Sequence, residues 1–302
     1  MTHNDPSAFI SLPEFFDIVL VDAPCSGEGM FRDLVAREEW SPANAQLCSE
    51  RQRRIVMDIW PALKPGGVLI YSTCTFNPAE NEENILWLTQ NTDSESVRID
   101  ISSFSGITEI GYNGITGYGF HPGRVRGDGF FLSVVRKPGA PVNYRVRSGK
   151  TKNRLSAKLL DDMSEMISID RSRLFQRENK IIGLATDPEM FIYLGERLNV
   201  IKAGTLAGEI KNRDFVPGHD LAMSVHLRKE AFQVHDVSYD EAVAFLRFDA
   251  MSLKNAPSGR ILLSYRDVPL GFANNLGRRI NNGYPQAWRI RMQQRNDFRD
   301  IL

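Results

Sequence analysis

The chain has 302 residues, 42% of them hydrophobic, with 37 basic and 37 acidic side chains and three cysteines. That length can bury at least two cores, and no apolar run nears the ~20 residues of a membrane span, so a membrane-spanning role is excluded. Three cysteines without a disulfide framework, and no opening signal peptide, point to a reducing, cytoplasmic compartment.

Phe15 to Val21 is a nearly continuous apolar run, as in a strand buried on both faces, and closes with Asp22-Ala23-Pro24-Cys25-Ser26-Gly27-Glu28-Gly29. Cys48 to Leu63 has helical spacing, with Ile55, Ile59 and Leu63 along one face, and Lys64-Pro65-Gly66-Gly67 is expected to end that helix. Gly67 to Tyr71 is a second buried strand, closed by Ser72-Thr73-Cys74-Thr75. A strand-helix-strand unit makes the two strands parallel, so both thiols open on one edge of the sheet, where open α/β sheets bind ligands. A helix is expected at Ala79 to Gln90, and Asp128-Gly129-Phe130-Phe131 falls in a late strand.

This first unit covers residues 1–137, and Pro138-Gly139-Ala140-Pro141 starts a linker spanning residues 138–149. Residues 150–232 read as a small mixed α/β domain, with a helix at Leu155 to Ile167 and Gly218-His219-Asp220 before a short strand. Residues 233–302 read as a small β-rich module, with a helix at Tyr239 to Phe248, a strand at Gly259 to Tyr265 and a hairpin-like Arg266 to Phe272.

The thiols narrow the chemistry. Neither cysteine motif contains a histidine for a protease-like pair, although folding could still bring His121 there. A phosphatase loop needs an arginine six positions after the cysteine, where Phe31 stands and Arg32 comes one too late. Cys25, Cys48 and Cys74 lack metal-ligand spacing, and His219, His226 and His235 fit no helical ligand pair. Cys48, on the helix, is expected simply to pack, whereas a Pro-Cys-Ser-Gly turn and a Thr-Cys-Thr strand end point side chains out of the sheet.

Charge is unevenly spread. Residues 1–123 hold seven basic and seventeen acidic side chains, whereas Arg124 to Lys158 holds ten basic residues against Asp128 alone. A second basic zone, Lys254 to Leu302, holds nine basic and three acidic residues, with Arg278, Arg279, Arg289, Arg291 and Arg295 running without an acid among them, and is interleaved with Phe272, Tyr284 and Trp288. A single charge run is ordinarily a solvated surface. Two such zones with interleaved rings suggest RNA, whose phosphates take guanidinium groups and whose unpaired bases stack on rings.

The three ordered motifs, Asp22 to Gly29, Ser72 to Thr75 followed by Asn77-Pro78-Ala79-Glu80-Asn81-Glu82, and Asp128 to Phe131, resemble the NOL1/NOP2/Sun family of RNA 5-methylcytosine methyltransferases. The remainder, with Val268-Pro269-Leu270-Gly271-Phe272 and Asn281-Asn282-Gly283-Tyr284-Pro285, is similar to the C-terminal extension of the family's bacterial 16S rRNA enzymes, the RsmF type. The resemblance implies an α/β fold: a partial class I methyltransferase (Rossmann-like) sheet, a small mixed α/β domain and a PUA-like RNA-binding module.

Carbon 5 of cytosine is too weak a nucleophile to take a methyl group directly, so a thiolate first adds to carbon 6. By the family pattern Cys74 is that nucleophile, Cys25 assists release, and Asp22 lies against the cytosine edge or the amino-acid end of the cofactor, S-adenosylmethionine. Asp22 and Pro24 are the cofactor contacts expected here, Pro24 by fixing the loop, and Arg278, Arg279, Trp288, Arg289 and Arg291 the expected RNA contacts. The target base must be unpaired or flipped. The chain opens just before what the family comparison makes the fourth strand, and it holds no Pro-Gly-Gly-Lys-Thr-like cofactor loop. Most of the cofactor site is therefore expected to be absent, the chain inactive alone, and the missing N-terminal half a partner beside rRNA or the small ribosomal subunit. A tRNA target and an RNA-binding or ribosome-assembly module without catalysis are the alternatives.

Overall fold

Residues 1–140, 155–212 and 214–292 are described by the structure, a computed structural model. Linker residues 141–149 and the basic residues Arg145, Arg147, Lys150, Lys152, Arg154 and Arg295 lie outside them. The described residues form two compact units, one from Thr2 through the strand ending at Arg136, the other holding nearly all of the chain from residue 155 onward.

In the first unit, β1 (Phe16–Asp22) is followed by α1 (Leu34–Glu39), α2 (Pro42–Ile59), β2 (Leu63–Thr73), α3 (Glu82–Asn91), β3 (Glu95–Ser96), β4 (Ile107–Tyr112), β5 (Ile115–Phe120) and β6 (Phe130–Arg136). The main sheet order is β1-β2-β6-β5-β4, with β3 also on β6. β1 and β2 pair in parallel, as the strand-helix-strand pattern predicts, and the rest of the sheet is antiparallel. Leu69, Tyr71, Ile85, Leu88, Phe131 and Val135 form its core. Burying each such side chain contributes about 1.5–3 kcal/mol.

Helix α2 corrects the sequence reading at both ends. It starts at Pro42, because the Ser41 hydroxyl accepts from the Asn44 amide at 3.1 Å and proline suits the first helical position. It stops at Ile59, four residues early, since Pro61 cannot continue it. Lys64-Pro65-Gly66-Gly67 therefore lies inside β2, where the register against β1 slips between Phe16 and Ile18. Gly66 has φ +76° there and its amide donates to the Lys137 carbonyl at 2.9 Å. The buried face of α2 is Ala45, Ser49, Gln52 and Val56, with Ile55 and Ile59 half-buried beside it.

The second unit contains α4 (Ala157–Met166), β7 (Leu174–Arg177), β8 (Lys180–Gly183), α5 (Pro188–Gly195), β9 (Thr205–Lys211), β10 (Asp214–Pro217), α6 (His219–Ala222), β11 (Val234–Asp236), α7 (Tyr239–Arg247), β12 (Gly259–Tyr265), β13 (Val268–Asn275) and β14 (Ile280–Asn282). Its two sheets run β10-β9-β8-β7 and β11-β12-β13-β14. Leu262 and Phe272 of the latter share a core with Met163, Ile167, Leu174 and Ile181. Gly218 follows a short strand instead of preceding one: it caps α6, whose first turn takes up the chain. Ser238 and Glu241 cap α7 reciprocally, so that helix begins where the pattern places it.

Candidate active site

β1 and β2 end side by side, Asp22 level with Ser72, and each strand then turns into a cysteine. The Ala23 amide donates to the Ser72 carbonyl at 2.9 Å, carrying the pairing one residue past β1. The Sγ atoms of Cys25 and Cys74 lie 2.7 Å apart. Both side chains are half-buried, and the Cys74 amide also donates to Cys25 Sγ at 3.2 Å.

This contact polarises the pair. The hydrogen bond from Cys25 holds the Cys74 thiol down at about 7, against burial and the nearby Asp22 and Glu80 carboxylates, which act to raise it. The same bond, with burial, pushes Cys25 far upward and keeps its proton on. The contact thus favours the thiolate on Cys74 and a retained proton on Cys25. Cys48, half-buried on α2 and 4.0 Å from Asn44 Oδ1, is shifted upward by burial.

The turns are fixed by a buried polar network. Glu80 Oε2 accepts from the Ser26 amide at 3.0 Å and from Gln52 Nε2 at 2.8 Å, and the same Gln52 amide donates to the Pro24 carbonyl at 2.9 Å. Ser26 and Thr75 hydroxyls meet at 3.0 Å. Asn81 grips Cys74 from both sides, accepting from Thr73 Oγ1 at 2.6 Å and donating to the Thr75 carbonyl at 3.0 Å. Tyr71 donates to Gln52 Oε1 at 2.9 Å and Asn84 Nδ2 to the same atom at 2.8 Å. Gln52 and Glu80 are fully buried and Asn81 nearly so. These bonds fasten the two turns to each other, although the second carboxylate oxygen of Glu80, Oε1, is buried without a partner.

The third motif arrives through two glycines. Gly129 donates its amide to the Gly29 carbonyl at 2.9 Å, and Gly29 donates to the Cys74 carbonyl at 2.9 Å. A Cβ on Gly129 would run into the Phe76 ring and the Gly29 backbone, so only glycine lets these segments close. Phe76 stacks on His121 at 5.2 Å between centroids, and that contact is with Phe76, not with a thiol.

Asp22, exposed on this edge, accepts from Ser72 Oγ at 3.1 Å. Asp22 and Pro24 end an apolar cavity of about 440 Å³ along β1, lined also by Phe16, Ile18, Leu20 and Ile55. Asn4 and Asp22 are the only polar side chains among its described lining residues. Those two side chains are the polar groups a ligand would meet there, against an otherwise apolar wall.

Sequence reasoning missed Ser49 and Gln52, although polar residues at the core-facing spacing of α2 were a readable signal, and Asn84, buried on α3. Among the described residues, no group of three or more His, Cys, Asp or Glu is placed to hold a metal.

In the second unit, Arg278 and Arg279 are exposed in the turn between β13 and β14, and Trp288, Arg289 and Arg291 are exposed beyond β14. None of these four arginines makes an ion pair among the described residues. Trp288 leans edge-on against His219 at 5.5 Å with over half its surface free. Phe272, expected to offer a stacking ring, is instead buried in the core, and Tyr284 is half-buried against His219 and Phe245. β13 is covered on both faces there, with Phe272 packed in one core and Ala273 in another.

Residues 2–136 match the family model for the 16S rRNA methyltransferase RsmB/F, and residues 232–290 match that for the RsmF PUA domain. Over these two segments the chain is similar to the RsmB/F methyltransferases. The ribosomal RNA small subunit methyltransferase F of Enterobacter sp. (strain 638) is 30% identical over 303 residues, 95% of this chain and 61% of the relative. That of Salmonella heidelberg (strain SL476) is 30% identical over 304 residues, covering 95% and 62%. The chain thus spans about three-fifths of the length of these curated RsmF relatives. A solved methyltransferase homolog protein from Pyrococcus horikoshii is 30% identical over 40% of this chain and 39% of its own, with a TM-score of 0.33. Among the described residues no helix is long and apolar enough to cross a membrane.

Proposed function

We propose that this chain carries the thiol centre and the RNA-binding module of a cytoplasmic S-adenosylmethionine-dependent methyltransferase acting on carbon 5 of a cytosine in 16S rRNA. The observation that carries this reading is the 2.7 Å contact between Cys25 and Cys74 at the carboxyl ends of adjacent parallel strands. The domain plan that goes with it is residues 1–137 for the methyltransferase unit, 138–149 for a linker, 150–232 for a small α/β domain and 233–302 for the PUA-like module.

The Cys74 thiolate adds to carbon 6 of an unpaired cytosine, forming the sulfur–carbon bond and moving the 5,6 double-bond pair toward carbon 5. S-adenosylmethionine, when bound, supplies the methyl group that carbon 5 takes; Asp22 and Pro24 would hold its amino-acid end. Consuming the Cys74 charge removes the hydrogen-bonded partner that, together with burial, held the proton on Cys25. Cys25 then gives up that proton to solvent and takes the one on carbon 5. The electron pair left behind restores the double bond and expels the Cys74 thiolate. The contact between the two thiols supports this order of roles. Arg278, Arg279, Arg289 and Arg291 take phosphates and Trp288 takes a base, which brings rRNA or the small ribosomal subunit to the site.

The test is 5-methylcytosine formation in 16S rRNA by the enzyme carrying this chain's sequence. Wild type should produce the modified base and Cys74→Ala none. Modification that persists in Cys74→Ala would remove the reading.

A further inference from the structure

We propose that Cys25 and Cys74 form a site of reversible oxidation, in which a hydroperoxide converts the facing thiols into an intramolecular disulfide. Their Sγ atoms stand 2.7 Å apart, so closing to a disulfide bond of ~2.05 Å asks for well under 1 Å of movement. The turns that carry them are already fastened together. Ser26 reaches Glu80 and Thr75 from one turn to the other, and Gly29 donates to the carbonyl of Cys74 itself. Neither turn has to unfold for the sulfurs to meet. Both side chains are half-buried, open enough for a small oxidant.

The step balances. Cys74 thiolate attacks one oxygen of the hydroperoxide, the oxygen–oxygen bond breaks, and the alkoxide or hydroxide leaves as alcohol or water after taking a proton. Cys74 is then a sulfenic acid. Cys25 attacks its sulfur, the sulfur–oxygen bond breaks, and hydroxide departs with the Cys25 proton as water. The two thiols together lose two electrons and two protons, and the hydroperoxide is reduced by two electrons. Cys48 provides the internal comparison: its thiol faces Asn44 at 4.0 Å, with neither partner cysteine in hydrogen-bond contact.

The disulfide would occupy both thiols of the proposed methyl-transfer site at once, linking that activity to the redox state of its surroundings. The test itself needs neither RNA nor methyl donor, so it stands or falls separately from the methyltransferase reading. The whole chain is exposed to a few-fold molar excess of hydrogen peroxide, denatured, blocked with N-ethylmaleimide, weighed and digested. The maleimide count should fall from the three cysteines to one, a single linked peptide should join Cys25 to Cys74 within one chain, and dithiothreitol should restore all three. Cys25→Ser should instead leave Cys74 as a sulfenic acid that dimedone captures. Three free thiols after peroxide, a bond through Cys48, or a bond only between two chains would overturn the proposal. The peptide map of the unaltered chain decides the matter if a variant fails to fold.

Discussion

The Ser26 amide donates to Glu80 Oε2 at 3.0 Å, tying the turn that holds Cys25 to the segment that follows Cys74. Glu80 is fully buried and also takes Gln52 Nε2, so its removal strands two buried donors at once. Glu80→Ala should cost on the order of 2–4 kcal/mol of unfolding free energy, about 1–3 for each stranded donor and less what relaxation recovers. Glu80→Gln keeps the shape and one acceptor and should cost less. Urea melts of both variants check this, and equal midpoints for Glu80→Ala and the parent would contradict it.

Thiol reactivity should follow pH in an order set by the pair. Cys74, held at about 7 by Cys25, should react with iodoacetamide half-maximally near that pH, while Cys25 and Cys48, both shifted upward, lag behind. Asp22 and Glu80 face the same sulfur and oppose the shift, so removing the Asp22 charge should move the inflection lower still. Stability carries the same signature. Between about 7 and 9 the unfolded chain binds a proton on Cys74 that the folded chain lacks, so stability rises with pH. Above about 9 the folded chain keeps the Cys25 proton that the unfolded chain loses, and stability falls again. Mass-resolved alkylation across pH reads the first effect, and thermal melts read the second.

The basic surface predicts a salt signature. Replacing Arg289 and Arg291 together by alanine should weaken binding to an rRNA fragment and flatten the salt slope by about one to two phosphate equivalents. Trp288→Ala should cost about 1–3 kcal/mol with little change in that slope, because a stacked ring releases no counterions. Fluorescence anisotropy titrations at several salt concentrations separate the two. An unchanged slope in the double variant would make the arginines ordinary solvated surface.

Along β1, Ile18 is 61% and Leu20 65% exposed, and among the described strands β1 pairs only with β2. An open apolar edge of that kind recruits other strands. The chain should therefore self-associate as its concentration rises, and Leu20→Lys should reduce this in sedimentation velocity. Identical behaviour of parent and variant would place the association elsewhere.

What the sequence revealed follows a physical divide. β1 and β2 were readable as parallel strands from their apolar runs, but β1 buries only the face of Val19 and Val21 and leaves Ile18 and Leu20 exposed, not both faces as expected; β12 matches its expected limits residue for residue. The start of α2 was hidden because its opening turn carries no apolar periodicity, although Ser41-Pro42 is a capping signature. Gln52 finds Glu80 and Asn84 across 28 and 32 positions of chain, and no local pattern encodes that pairing. Phe272 misled for a related reason: a ring next to a basic zone looks like a stacking platform, but both faces of β13 are covered by cores.

The most direct measurement of the central claim is the covalent RNA complex in the enzyme carrying this sequence, resolved on a denaturing gel. Cys25→Ala should accumulate a stable protein–RNA adduct, because addition and methyl transfer proceed and elimination stalls. Cys74→Ala should form none, and the double variant should resemble it. An adduct that survives loss of Cys74 and requires Cys25 would contradict the assignment of thiolate and thiol drawn from their contact.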